Sequence, residues 1–222
     1  AGARIADEVA ALLRDYLEPG LTERAVAQFI RDELTKRGVK NAFGTCQSGV
    51  RNSGEPMIPD GATDRVLQEG DMVHMEINGT FMGYKIDICR STVVGKASSR
   101  QIELLELVLQ MLEKAVAEIE PGIKAEDLEH ITGQLALQHG FSKNFTIAFG
   151  GPGTYLGHGI GLGIDEPPIL AKGVKTILKE GMTIAIEPGL YRTEVGGARI
   201  EDELLVTASG AKVLNSCERR WW

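Results

Sequence analysis

Four acidic side chains lie inside apolar, strand-like stretches of the chain. Glu76 and Asp87 do so in the first half, and Glu187 and Glu201 do so in the second. Acidic residues are unfavourable in strands, and a carboxylate in an apolar environment needs a partner or a cation. We therefore expect these four acids to be partnered in the folded chain.

A histidine among glycines adds a nitrogen donor to this pattern. His158 is the second residue of Gly-His-Gly-Ile-Gly, residues 157–161. Glycine lets the backbone approach a bound group closely, so this segment is interpreted as one that presents the imidazole to a ligand. Four acids and one imidazole suit Mn²⁺, Fe²⁺, Co²⁺ or Zn²⁺. Bridging carboxylates would hold two such ions, which activate a water and polarise a carbonyl.

Each of these residues taken singly has a simpler explanation. A strand acid usually pairs with a base, and Arg90 and Arg199 are near in sequence. His158 alone would be an ordinary loop histidine, and Glu187 before Pro188 would be a turn acid. The combination, with acidic strand segments in each half, favours a metal site.

The elements that would position these residues repeat once along the chain. Residues 17–21, Leu-Glu-Pro-Gly-Leu, recur as residues 119–123, Ile-Glu-Pro-Gly-Ile. Each copy lies between two stretches of helical periodicity. Gly38 and Gly140 follow the second stretch of each pair, where a left-handed residue ends a helix. Ser98 and Gln101 match a capping box before the second copy.

Strand-like segments follow each predicted helix pair. They are 72–77 and 84–94 around a predicted hairpin turn at Asn78-Gly79, and then about 182–187 and 199–206. Two such halves predict an α+β fold with pseudo-twofold symmetry, in which helices flank an antiparallel sheet and a ligand cleft lies between the halves. The alternative is that the Glu-Pro-Gly match is a coincidence in a glycine-rich chain.

Composition restricts the classes of partner. The chain has 222 residues and a net charge of -7, which argues against nucleic acid or an anionic membrane as a partner. The three cysteines show no paired or metal-like spacing, so a reducing, cytoplasmic location is expected. Cys89 is interpreted as a core residue, and His74 as a surface or helix histidine without a partner.

Four segments carry specific motifs. They are Gly-Tyr-Lys-Ile-Asp-Ile-Cys-Arg-Ser (83–91), Gly-His-Gly-Ile-Gly (157–161), Ile-Glu-Pro-Gly-Leu-Tyr (186–191) and Arg-Ile-Glu-Asp (199–202). In order and spacing they resemble the methionine aminopeptidase/prolidase/creatinase family, peptidase family M24. The resemblance extends from the first helix to about Leu214 and implies the pita-bread fold, whose internal duplication agrees with the repeat. It is strongest to the catalytic half of proline-specific members.

The resemblance implies a metal-dependent hydrolase of a peptide or amide bond, similar to a Xaa-Pro dipeptidase or aminopeptidase. Its substrate would be a small molecule or a short peptide, and its cofactor one or two divalent ions of Mn, Co, Zn or Fe. By motif, Asp87 and Glu201 would bridge the ions, and Glu76, His158 and Glu187 would complete the ligand set. Glu187 would also be the general base, with His158 in the catalytic set.

Three positions depart from the family pattern. The first ligand is normally Asp and is here Glu76, so the ion that it holds should bind more weakly, because metal–ligand distances tolerate only about 0.2 Å of change. Met57 follows Pro56 where the family has a substrate-contacting histidine. Asp165 stands in place of a second histidine of the catalytic site. Because both histidines are linked to stabilising the tetrahedral intermediate, weak or absent activity on simple Xaa-Pro dipeptides is expected.

The domain organisation and two other functions follow from the same resemblance. Residues 1–222 are expected to form a single catalytic-type domain with halves of about 1–97 and 98–222, without the domain that usually precedes it, and a homodimer is left open. A metal-independent C–N hydrolase similar to creatinase or ectoine hydrolase is one alternative, and a non-enzymatic peptide-binding module is another. The near-complete ligand set argues against both, whereas the missing histidines favour the binding module.

Overall fold

A computed structural model describes residues 1–49, 52, 61–141, 147–148, 151–152 and 155–222. Within these ranges the chain forms four α-helices and twelve β-strands. The helices are α1 (Gly2–Tyr16), α2 (Glu23–Lys36), α3 (Ser99–Glu118) and α4 (Ala125–Gln138). None of these described helices has the length and apolar character that a bilayer span requires.

The described strands form antiparallel sheets in both halves. The first half contains β1 (Lys40–Ser48), β2 (Met72–Phe81) and β3 (Tyr84–Val93), in the order β1-β2-β3. The second half contains β4 (Ile147–Ala148), β5 (Gly151–Pro152), β6 (Tyr155–Gly159), β7 (Glu166–Ala171), β8 (Thr183–Ile186), β9 (Gly189–Arg192), β10 (Gly196–Arg199), β11 (Asp202–Thr207) and β12 (Gly210–Val213). Five of them form a sheet in the order β12-β11-β8-β6-β7, while β9 pairs with β10 and β4 pairs with β5.

The helix pairs repeat as the sequence predicts. The turn between α1 and α2 contains Gly20 at φ 97°, and the turn between α3 and α4 contains Gly122 at φ 107°. The second residue beyond each of these glycines forms an isolated bridge to a later segment. Gly38 and Gly140 follow the second helix of each pair at φ 80° and 79°. The matching local geometry confirms an internal repeat.

Apolar side chains form two buried clusters, one in each half. In the first half, Val26 and Ile30 of α2 belong to a cluster that also contains residues of α1, β2 and β3. In the second half, Leu105 and Leu109 of α3 pack with side chains from α4 and the five-stranded sheet. Ile102 of α3 is 40% exposed, so it lies outside this cluster. In each half the helices therefore cover one face of the sheet, which leaves the other face for the cavity.

The predicted hairpin turn at Asn78-Gly79 was wrong. Both residues lie inside β2, and the chain turns at Met82 and Gly83, where φ is 50° and 89°. A Cβ at Gly79 would collide with the side chain of Val39. The glycine is therefore needed for close packing inside the strand rather than for a turn.

Several hydrogen bonds connect β3 to the second half, and in two of them a predicted site residue donates its backbone N–H. The amide N–H of Glu201 donates to the carbonyl of Cys89 at 3.1 Å, and the amide N–H of Asp87 donates to the Glu203 carboxylate at 3.0 Å. Glu201 was predicted inside a strand, but it lies between β10 and β11. This break lets its backbone bond to β3, so acids from the two halves meet.

Candidate metal centre

A cavity of about 300 Å³ lies between the two halves. All five ligands that the sequence resemblance implies line it, together with other polar and apolar residues. The lining residues are Asn41, Phe43, Glu76, Asn78, Gly79, Lys85, Asp87, His158, Ile164, Asp165, Glu187, Arg199 and Glu201. The structure therefore brings the predicted site residues together in one place, with Met57 as the exception because it lies outside the described residues.

The imidazole of His158 is surrounded by carboxylates. Its Nε2 atom lies 3.3 Å from Glu187, 3.4 Å from Asp165, 3.7 Å from Asp87 and 3.8 Å from Glu201. Two ligands that each lie about 2.1 Å from one ion are themselves roughly 3 to 3.5 Å apart. The separations around His158 are thus close to those of ligands that share one ion.

The ring of His158 is also oriented for this role. Its Nδ1 atom lies 2.9 Å from the carbonyl oxygen of Gly159. A carbonyl only accepts hydrogen bonds, so Nδ1 carries a proton, and Nε2 of the neutral ring can bind a metal. Burial alone would lower the pKa of His158, but the hydrogen bond and charge of Glu187 and the charge of Asp87 raise it to about 9. The carboxylates therefore attract a cation to this point.

The glycines beside His158 have a different role from the one predicted. A Cβ at Gly157 would collide with the backbone of Ala185 in β8, and a Cβ at Gly159 would lie 2.6 Å from the carbonyl oxygen of Glu166 in β7. His158 itself is only 1% exposed. The glycines therefore let three strands approach closely around a buried imidazole, and they do not expose it.

Asp87 and Glu201 are the acids of the cavity whose ionised forms are least favourable. Burial raises the pKa of Asp87 well above its usual range, and the charge of Glu76 raises it further. Burial also raises the pKa of Glu201 well above its usual range, and the charge of Asp87 raises it further. Among the described residues, the buried Oε1 atom of Glu201 has no hydrogen-bond partner. A buried carboxylate oxygen without a donor fits a bound cation, so these residues fit the metal that the resemblance implies.

Glu76 has different partners from the other acids. Its Oε1 atom lies 2.7 Å from Nε2 of His74 and contacts the Arg199 guanidinium. Burial would raise the pKa of Glu76, but the charge of Arg199 and the hydrogen bond from His74 lower it to about 2. In the part of the chain that the structure describes, donor atoms within 4.8 Å of one another form two groups, one of Asp87, His158 and Glu201 and one of His74, Glu76 and Cys89.

His74 is the neighbour that sequence reasoning missed. It was interpreted as a surface histidine, but it is 3% exposed and contacts both Glu76 and Cys89. Alternating strand residues usually separate a buried face from an exposed one, but β2 is the central strand of its sheet and both of its faces are covered. The alternation of β2 in the sequence therefore marks two buried faces.

Of the two arginines near the acids, only Arg199 reaches the cavity. Its Nε atom lies 3.3 Å from Glu187, while its Nη2 atom contacts Glu76. Arg90 instead pairs with Asp202 at 2.8 Å, away from the cavity. The simpler explanation of a paired strand acid thus holds for Glu76, although Arg199 contacts two acids at once.

Asp165 lies at the more open side of the cavity. Its side chain is 47% exposed, and the hydroxyl of Tyr155 donates to it at 3.3 Å. An ionised carboxylate at this point would repel developing negative charge on a substrate oxygen, where an imidazole could donate a proton. Asp165 is therefore suited to contact a positively charged group of a ligand.

Comparison with known proteins identifies the family of the chain. The model of metallopeptidase family M24 matches residues 1–208. A Xaa-Pro dipeptidase of Pyrococcus horikoshii is 36% identical over 218 residues, which are 97% of this chain and 59% of that protein. The structure of a prolidase from Pyrococcus furiosus superposes with a TM-score of 0.89 at 34% identity, and the match covers 98% of this chain and 62% of that one.

A more distant structure shows the same fold. Methionine aminopeptidase from Rickettsia prowazekii superposes with a TM-score of 0.79 at 20% identity, over 96% of this chain and 93% of that one. The predicted α+β pita-bread fold is thus confirmed. The chain spans about three fifths of the length of the dipeptidase that it matches. The family match and the identity to the dipeptidase show that this chain belongs to metallopeptidase family M24.

Proposed function

We propose that this chain is a metal-dependent hydrolase of the peptide bond in a short substrate, similar to a Xaa-Pro dipeptide. One observation carries the proposal: carboxylates of Asp87, Glu187 and Glu201 lie within 3.8 Å of the His158 imidazole, and one of their buried oxygens has no partner among the described residues. The similarity to Xaa-Pro dipeptidases supports this substrate class.

The donor set suits one ion of Mn²⁺, Co²⁺, Zn²⁺ or Fe²⁺ at Asp87, His158, Glu187 and Glu201. Glu76 would hold a second ion more weakly, because Arg199 and His74 already occupy one of its oxygens. When bound, the metal polarises the scissile carbonyl and makes water a stronger acid.

Residues of the chain supply the remaining chemistry. Glu187 is the proposed general base, and Arg199 orients its carboxylate from 3.3 Å. The Gly159 carbonyl fixes the ring of His158. At the rim, the ammonium group of Lys85 suits a substrate carboxylate, and Asp165 suits a substrate amine. A cavity of about 300 Å³ is at the lower end of the usual range for small-ligand sites.

The test is hydrolysis by protein that has been stripped of metal and then reloaded with Mn²⁺, Co²⁺ or Zn²⁺, on a panel of Xaa-Pro and other dipeptides. We expect slow turnover that requires metal. Glu187→Gln should reduce kcat by about 100-fold or more because the base is lost, whereas Glu180→Gln, an exposed acid on the same half, should not.

Two results would overturn the proposal. Equal turnover without metal would support the alternative of a creatinase-like hydrolase. Metal-loaded protein that binds the dipeptides without cleaving any of them would support the peptide-binding module.

The organisation of the molecule supports two further parts of the proposal. We infer that residues 1–222 act as one catalytic unit, because both halves line the cavity. We also propose a reducing, cytoplasmic location, since Cys46, Cys89 and Cys217 are all unpaired.

A further inference from the structure

Three side chains next to the cavity form a second donor cluster with a different chemistry. His74 and Glu76 lie on the same face of β2, two residues apart, and Cys89 is directly opposite Glu76 on β3. The Sγ atom of Cys89 lies 3.2 Å from Nδ1 and 3.8 Å from Nε2 of His74, and the same Nε2 lies 2.7 Å from Glu76, so Nε2 is the nitrogen that faces both other donors. The strand register therefore brings a thiol, an imidazole and a carboxylate together.

We propose that His74, Glu76 and Cys89 form a nitrogen–oxygen–sulfur metal site that holds the second divalent ion of this protein. Thiolate and imidazole donors favour Zn²⁺ over Mn²⁺, which prefers oxygen. The inference deepens the proposed function, on which it rests for the role of Glu76 as a ligand. It places the second ion beside His74 and Cys89 rather than between carboxylates alone.

Burial of the three donors supports a metal site. His74 is 3% exposed, Glu76 1% and Cys89 0%. Ligands held by the core need little reorganisation, and their ligand atoms already lie within 4.8 Å of one another. Glu76 also lines the cavity, which gives an ion a route from solvent to the cluster.

The charge around the cluster also favours a cation. Four buried acids line the cavity, namely Glu76, Asp87, Glu187 and Glu201, whereas Arg199 is the one buried guanidinium among the described lining residues. Arg199 contacts Oε1 of Glu76, and a carboxylate has a second oxygen that can bind an ion. When the ion binds, Cys89 releases its thiol proton to solvent and ligates as a thiolate, and His74 ligates as the neutral ring.

The alternative is a hydrogen-bonded chain in which His74 merely positions Glu76. In that chain the Cys89 thiol donates to the carbonyl oxygen of Arg199 at 3.2 Å, so its sulfur is only a weak acceptor for His74. The two explanations differ in one observable, which is whether sulfur binds the ion.

Cobalt substitution provides that observable without measuring hydrolysis. Metal-free protein is titrated with Co²⁺ and followed by absorbance, since a cobalt-bound thiolate gives a strong near-ultraviolet charge-transfer band. The band should appear with the second equivalent and be lost in Cys89→Ala. It should remain in Cys46→Ala, which removes a buried cysteine of the core cluster in the first half. His74→Ala should weaken binding of the second ion by about 10-fold or more.

X-ray absorption of the unmutated protein loaded with two equivalents of Zn²⁺ gives an independent result. A sulfur neighbour at about 2.3 Å from zinc would support the site. Two bound ions with only oxygen and nitrogen neighbours would overturn it and leave the proposed hydrolase intact. Failure of the protein to bind any ion would overturn this site and the proposed function together. A charge-transfer band that persists in Cys89→Ala would also overturn the assignment.

Discussion

Replacing Asp87 with Asn should stabilise the metal-free protein, although Asp87 is a proposed metal ligand. Burial and the charge of Glu76 raise the pKa of Asp87 well above its usual range. The folded protein therefore holds a proton on this carboxyl to higher pH than an unfolded chain, whose Asp has a pKa of about 3.9. Because the folded state binds more protons, its stability falls as pH rises. Asn has no ionisable group, so the stability of the variant does not fall with pH for this reason.

The size of the effect follows from proton linkage. One proton bound only by the folded state changes the free energy of unfolding by about 1.4 kcal/mol per pH unit. For a chain of this size, 1 kcal/mol shifts Tm by roughly 2–4 °C. The Tm advantage of Asp87→Asn should therefore grow by up to about 3–5 °C from pH 5 to pH 6. Glu76 has a small dependence of opposite sign, because its pKa is lowered to about 2 in the folded protein and is about 4.3 in an unfolded chain.

The assay is thermal unfolding in chelator at pH 5 and 6, with Glu180→Gln as a control that removes an exposed charge on the other half. With saturating Mn²⁺ the order should reverse, because the native protein binds the ion and Asp87→Asn has lost a ligand. A Tm difference that does not change between pH 5 and 6 would refute the electrostatic reasoning. A variant that stays more stable with Mn²⁺ would refute the ligand role of Asp87.

Three further variants test other parts of the site. Arg199→Met should lower the free energy of unfolding by about 3–5 kcal/mol in urea, because it leaves two buried acids without their guanidinium, and a loss below 1 kcal/mol would contradict this. Met57→His and Asp165→His together should raise kcat/KM on a Xaa-Pro dipeptide by about 10-fold or more, because imidazoles can donate to the developing oxyanion. No gain would show that these positions do not limit the rate. Gly157→Ala should destabilise the fold by about 1–3 kcal/mol because its Cβ meets the backbone of Ala185, and an unchanged unfolding midpoint would be evidence against this packing.

The positions of the acids could be predicted from the sequence because charge is so unfavourable in an apolar strand. Asp87 between two isoleucines and Glu187 at the end of an apolar run are local signals, and the helix pairs carry strong periodicity and glycine stops. The resemblance then assigned roles to these acids. Their convergence around His158 needs both halves, and the duplicated architecture made it predictable.

Other features depend on contacts that local patterns do not encode. Asn78-Gly79 has the composition of a hairpin turn, but Gly79 is fixed by the side chain of Val39, which is distant in sequence. His74 has no local sign of burial, because it depends on a second covered face of β2. The sequence predicted a longer strand from Arg199 onward, but β10 ends at Arg199. This end of β10 is why Arg199 rather than Arg90 is the partner of Glu76.

The most direct test of the central claim is anomalous diffraction at the zinc absorption edge from crystals of the protein grown with Zn²⁺. We expect a peak within about 2.0–2.2 Å of His158 Nε2 and of carboxylate oxygens from Asp87, Glu187 and Glu201. The four side chains already lie close enough for one ion, since Nε2 of His158 is 3.3–3.8 Å from these carboxylates. A cavity without a peak, or zinc bound only at surface residues, would contradict the account.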